Sequence, residues 1–268
     1  MKLALYFVLS LIIVLVTSYY QRVTGPTYEK KVQLELNANS YDFKLIRSQE
    51  IGSPCLLQLE VPDTSIRAIV NYKRYPTADS YVAQEFKRQG DMLVAELPEQ
   101  PAAGKLQYFI TFFAGPQKER LVQTEPVIIR FKGAVPAGVL VTHIIFIFMG
   151  MWFSNLTGIL AVAKHDKQKF YAILTLVCLV IGGMVCGPFV QKYAFDAYWT
   201  GVPFGWDLTD NKTLIAVLAW LVAVLGNLKK ERRSLYIVAG IITIAVFIIP
   251  HSVMGSEFNY QQGEITNG

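Results

Sequence analysis

Apolar and polar positions divide the chain into three kinds of stretch. Residues 3–17 (LALYFVLSLIIVLVT) form a nearly unbroken apolar run after Lys2. From residue 27 to 133 the pattern changes to short alternating runs: Lys31–Leu36, Tyr41–Arg47, Cys55–Val61, Ile66–Arg74, Tyr81–Lys87, Met92–Leu97, Leu106–Phe113 and Pro126–Phe131. Turn residues part them, among them Pro62-Asp63, Gly90-Asp91 and Pro98–Pro101. A period of two marks half-buried strands, and short strands at a spacing of about 8–12 residues argue for an antiparallel sandwich. Four longer apolar runs follow, at about 135–163, 170–191, 212–228 and 234–250. Crossing a bilayer as a helix takes roughly 18 to 20 apolar residues.

The expected fold class is therefore an α+β membrane protein. A signal anchor helix over 1–22 precedes an extracytoplasmic antiparallel β-sandwich over 27–133. A four-helix transmembrane bundle over 135–252 follows, then an extracytoplasmic tail over 253–268. Signal peptides end in a small-x-small cleavage site. Here the first run leads into Ser18-Tyr19-Tyr20-Gln21-Arg22, which favours retention as an anchor over cleavage. Tyr19-Tyr20 suits an interfacial aromatic belt.

Composition sharpens this picture. Hydrophobic residues make up 53% of the chain and charged residues 17%, against about 25% charged in soluble domains. Mean hydropathy is +0.35. The net charge of +5 needs no nucleic-acid partner, because much of the basic excess lies in Lys164–Lys169 and Lys229–Arg233, beside apolar runs. Basic loops of this kind stay cytoplasmic. With the N-terminus inside, both fall in the cytoplasm, and the sandwich, the 192–211 loop and the C-terminus fall outside, as in the inner membrane of a bacterium. The three cysteines, Cys55, Cys178 and Cys186, form no disulfide framework or CxxC site.

Candidate chemistry gathers at the expected outer face. The stretch WTGVPFGWDLTDNKTLIAVLAW (199–220) passes from an aromatic, glycine-rich loop into an apolar helix. Asp210, or Thr209, precedes the run at the position of an N-cap, where a carboxylate meets free backbone N–H groups. Asp207 precedes the cap and is freer for other work. Two of the three histidines fall on the same side: His143 within the second segment and His251 after Pro250. His165 lies in a basic loop and reads as solvated. An ionisable residue inside a membrane helix is a functional-site candidate. His143 shares a face with Ile147, Gly150, Ser154, Thr157 and Gly158, so it points into the bundle, toward a small face at Cys178, Gly182 and Cys186. The simplest role for His143 is one interhelical hydrogen bond. The sharper one makes His143 and His251 ligands of haem or a transition metal, with Asp207 and Glu257 as further metal ligands. No CxxCH, HExxH or glycine-rich phosphate loop is present, and no catalytic set is expected.

The stretches TEPVIIRFKGAVPAGVLVTH, GPFVQKYAFDAYWTGVPFGWDLTDNKTL and IIPHSVMGSE resemble a family of bacterial integral membrane proteins to which no activity or cofactor is assigned. Residues Leu56–Phe131 resemble an immunoglobulin or fibronectin type III-like module. The resemblance implies an outer sandwich ahead of a four-helix membrane region. It draws attention to His143, Asp207, Asp210, Asn211, His251, Ser252 and Glu257. Two functions are then expected in competition. In the first, the chain is an accessory or assembly subunit of an envelope complex and binds a protein partner through the sandwich. In the second, it binds haem or a metal at the outer face and handles electrons or metal ions.

Overall fold

The computed structural model describes residues 2–114, 120–251 and 253–266. Ser252 lies outside them. The chain divides into two compact units. Of the described residues, a helical unit comprises those within 2–26 and 135–256, and a β unit comprises those within 27–134 and 257–266.

The helical unit holds α1 (Lys2–Val23), α2 (Ala137–Val162), α3 (Gln168–Phe195), α4 (Leu208–Gly226) and α5 (Arg233–Ile248). The first four are long and apolar enough to cross a membrane; α5 is apolar but shorter. Two helices extend beyond their apolar runs: α3 continues to Phe195, and α4 begins at Leu208 rather than near 212. Their common core includes Val14, Ile147, Met151, Leu179, Trp220, Tyr236 and Phe247. In an apolar solvent, close packing and satisfied polar groups replace the hydrophobic effect as the glue. Small residues supply the first. A Cβ on Gly150 would stand 2.8 Å from Leu179 Cδ2, and one on Gly182 would stand 2.9 Å from the Ile147 nitrogen. Buried Trp220 supplies the second, donating its indole N–H to Thr243 Oγ1 at 2.8 Å. Inside α3, residues Val180–Cys186 widen into a π-turn.

The β unit contains β1 (Lys30–Leu36), β2 (Asn39–Leu45), β3 (Ser48–Glu50), β4 (Cys55–Glu60), β5 (Arg67–Arg74), β6 (Val82–Glu85) and β7 (Lys87–Gln89). It continues with β8 (Met92–Leu97), β9 (Lys105–Ala114), β10 (Arg120–Gln123), β11 (Val127–Lys132), β12 (Glu257–Asn259) and β13 (Glu264–Thr266). The largest sheet runs β3-β11-β9-β5-β6, with β10 also on β9; a second runs β4-β8-β7, and β1-β2 forms a hairpin. One buried cluster draws on all three, including Leu36, Phe43, Leu57, Leu59, Val70, Leu93, Ile110, Phe112, Ile129 and Phe131. Burial alternates along β4, which is the period-two signature of the sequence.

Three details depart from the expected pattern. Pairing is antiparallel except at β3, which runs parallel to β11. The run Tyr81–Lys87 is two strands in two sheets, because Phe86 is buried between them and its N–H bonds to the Ala68 carbonyl. The segment expected as a tail forms the β12-β13 hairpin of the β unit. The Tyr260 hydroxyl accepts the Lys105 N–H at 2.9 Å, Lys105 pairs with Glu257, and the Arg74 guanidinium lies over the Tyr260 ring.

Candidate functional site

The polar centre of the helical unit forms where α4 begins. The N-cap is Asp207, not Asp210. Asp207 Oδ1 accepts the Thr209 N–H at 2.8 Å, the standard service of a cap. The helix starts four residues before the expected boundary, and this moves Asp210 into its first turn. There the macrodipole still favours a carboxylate, but Asp210 faces the preceding loop. Its Oδ2 accepts the Thr200 N–H at 2.6 Å and the Gly201 N–H at 3.1 Å. Gly201 has to be glycine, since a Cβ would stand 2.7 Å from Asp210 Cβ.

Thr200 and Ser256, neither expected from the sequence, join the two carboxylates. Thr200 Oγ1 lies 3.1 Å from Asp207 Oδ2 and 3.2 Å from Asp210 Oδ2, and Gln191 donates to it at 2.5 Å. Ser256 donates to Asp207 Oδ2 through both its N–H and its hydroxyl, each at 2.8 Å. Thr200, Asp207, Asp210 and Ser256 are all buried. Asn211 closes the other side of the loop by accepting the Val202 N–H at 2.7 Å. Burial raises the Asp207 carboxyl pKa, but the donors from Ser256, Thr209 and Thr200 outweigh it, and the group lies below the usual carboxylate range.

A buried cation sits one turn along α4. Lys212 is 1% exposed, and its ammonium donates to the Ile249 carbonyl at 2.8 Å. The same carbonyl accepts from Gln21 at 3.2 Å, and Gln21 also reaches the Phe247 carbonyl at 2.8 Å. These carbonyls end α5, where Pro250 stops the helix and the negative end of the dipole favours a cation.

The histidines have different surroundings. His143, half-buried on α2, bonds through Nδ1 to the Gly182 carbonyl at 2.8 Å. That carbonyl is available because the π-turn directs the Gly187 N–H to it, five residues on, and leaves room beside it. With Nδ1 as donor, Nε2 keeps its lone pair. His251 is exposed, within electrostatic range of Lys212, His143 and Asp207. Glu257 belongs to the β unit and pairs with Lys105. Among the described residues, no three His, Cys, Asp or Glu side chains gather to hold a metal ion.

Of the sequence candidates, Asp207 and Asp210 share one network, His143 and His251 lie near its cationic side, and Glu257 falls in the other unit. Thr200 and Ser256 gave no sequence signal of their own, since a hydroxyl residue in a loop has many roles. Comparisons with known protein families, with curated proteins and with solved structures find no match to this chain.

Proposed function

We propose that the protein is a membrane-anchored accessory subunit of a bacterial envelope complex that binds a protein partner through its β unit. The observation that carries this reading is the β6 edge. Among the described residues, strand β6 pairs with β5 on one side only, and Val82, Ala83 and Glu85 are exposed. Tyr81, at the start of this edge, is 39% exposed yet held in place. Its ring meets Phe109 edge-on at 5.0 Å, its hydroxyl donates to Gln107 at 2.9 Å, and Lys73 lies over it at 5.2 Å. An exposed aromatic already fixed in one rotamer loses little entropy on binding. An open strand edge beside it offers backbone groups to an extended partner segment.

In this reading the β unit is the outward sandwich. The basic loops Lys164–Lys169 and Lys229–Arg233 face the cytoplasm, and the helices sit in the inner membrane. The Asp207 network then serves to hold the outer loop and the C-terminal segment on α4, since hydrogen-bond donors within the chain engage both carboxylates. The test replaces Tyr81 with Ala and Val82 with Lys, and follows the complex by native electrophoresis of mildly solubilised membranes. A complex lost from the double variant, with the chain still folded, supports the reading; a complex of unchanged size contradicts it.

A second reading rests on His143. A histidine whose Nδ1 is tied to a backbone carbonyl has the tautomer and orientation of a metal ligand. With His251 as the opposite ligand, the pair would hold haem through its two axial positions. An absorption spectrum of the purified protein separates the two readings.

A further inference from the structure

One end of the helical unit carries a concave basic site. A cavity of about 310 Å³ opens where α3 and α5 begin and α4 ends, and its lining includes Asp166, Lys169, Leu228, Lys229, Lys230 and Glu231. The two loops that form it, Lys164–Lys169 and Lys229–Arg233, hold seven basic residues and two acidic ones. Glu231 is already engaged, by the Gln168 amide and by the Arg233 Nε–H, the latter at 2.7 Å. Lys169, Lys229 and Lys230 are exposed and meet no ion-pair or hydrogen-bond partner among the described residues. The helix starts add to this charge. A helix N-terminus is positive and favours an acceptor at its cap. Here the N-caps are Lys167 for α3 and Arg232 for α5, neither makes a side-chain cap bond, and neither helix has an acidic residue in its first turn. Helix α4 has the ordinary arrangement, with Asp207 at the cap and Asp210 in the first turn. The basic cavity lacks the anion that the same chain supplies at its other helix start.

We propose that this cavity binds the phosphate headgroup of an anionic phospholipid. The inference needs only that the helices span a bilayer, and it is independent of the β6 edge. Three lysine ammonium groups supply the donors that a phosphate accepts. Asp166 offsets one of them, so the lining keeps a net positive charge. The cations stand at the ends of apolar helices, the depth of the headgroups. Apolar neighbours select a lipid over a free anion. Leu228 lines the cavity and is 58% exposed, and Phe170, next to Lys169, is 59% exposed. The volume lies at the small end of the range for small-molecule sites, which suits a headgroup with its chains outside.

The test uses the full chain in mild detergent, with dioleoyl phosphatidylglycerol as probe and dioleoyl phosphatidylcholine as its zwitterionic comparison. Native mass spectrometry is expected to show one phosphatidylglycerol per chain, retained under conditions that strip phosphatidylcholine. The triple variant Lys169→Gln, Lys229→Gln, Lys230→Gln is expected to lower that affinity at least about tenfold, with thermal unfolding unchanged. Arginine at the same three positions keeps the charge and is expected to keep the lipid. The variant Lys164→Gln, Lys167→Gln removes charge from the same loop outside the lining, and is expected to lose less. Equal losses in the two glutamine variants overturn the proposal, because diffuse charge then explains the binding. Wild-type protein that binds no phosphatidylglycerol, or retains phosphatidylcholine equally, overturns it, as does an arginine variant that loses the lipid. Displacement of the lipid by excess inorganic phosphate assigns the cavity to a free anion and overturns it too.

Discussion

Ser256 Oγ donates to Asp207 Oδ2 at 2.8 Å, across 49 residues of chain. This bond fastens the segment after α5 to the start of α4, at the carboxylate that caps the helix. Replacing Asp207 by Ala removes a cap, worth about 1 kcal/mol. It also leaves the buried Ser256 and Thr200 donors short of a partner, at about 1–3 kcal/mol more. We expect Asp207→Ala to destabilise the detergent-solubilised protein by about 3 kcal/mol, measured by thermal or denaturant unfolding.

The same carboxylate sets a pH dependence. Asp207 is held below its ordinary range in the fold, so its contribution is complete above the unfolded value, about pH 4. It fades as pH falls through the lower folded value, because protonation then favours the unfolded chain. The stability gap between wild type and Asp207→Asn should be widest near pH 7 and should narrow below about pH 4. A gap that widens on acidification would contradict this.

Thr200 joins Asp207, Asp210, Ser256 and Gln191 through one hydroxyl. Thr200→Val preserves its shape and removes that hydroxyl, at an expected cost of about 1–3 kcal/mol for a buried unmet partner. Combined with Ser256→Ala, the loss should be less than additive, since the two hydroxyls bond each other at 2.8 Å.

Trp220 and Thr243 give a control inside the helices. A double-mutant cycle of Trp220→Phe and Thr243→Val should return a coupling of about 0.5–1.5 kcal/mol, the usual range for one hydrogen bond within a membrane bundle. A coupling indistinguishable from zero would place their 2.8 Å contact outside the energetics.

The sequence revealed most of the elements and little of how they join. The alternation of Cys55–Val61 and Ile66–Arg74 was legible because one face of each strand is buried. The split at Phe86 was not, because a single inward side chain between two strands keeps the period of two. Strand β3, at Ser48–Glu50, carries no apolar signal and exists through its pairing with β11. At the site, Asp207 and Asp210 were both legible as carboxylates near a helix start. Their roles were exchanged because the cap depends on where the helix begins, and Leu208–Asn211 has too few apolar positions to show it. Thr200 and Ser256 matter through the fold alone. The β12-β13 hairpin was hidden because its place depends on Tyr260 reaching Lys105, a contact between residues 155 positions apart.

The two functional readings differ in one optical property. As an accessory subunit the purified protein has no Soret band; as a two-histidine haem protein it has one, and His143→Ala removes it while leaving the fold intact. The β6 edge can be tested more directly still. A photo-cross-linking amino acid at Val82, which is 52% exposed, is activated in intact membranes, with a second chain carrying it at Lys44 on the β1-β2 hairpin as control. We expect one discrete adduct from position 82, lost when Tyr81→Ala is added, and no matching adduct from position 44. No adduct from position 82, or the same adduct from both positions, would contradict a partner docked on that edge.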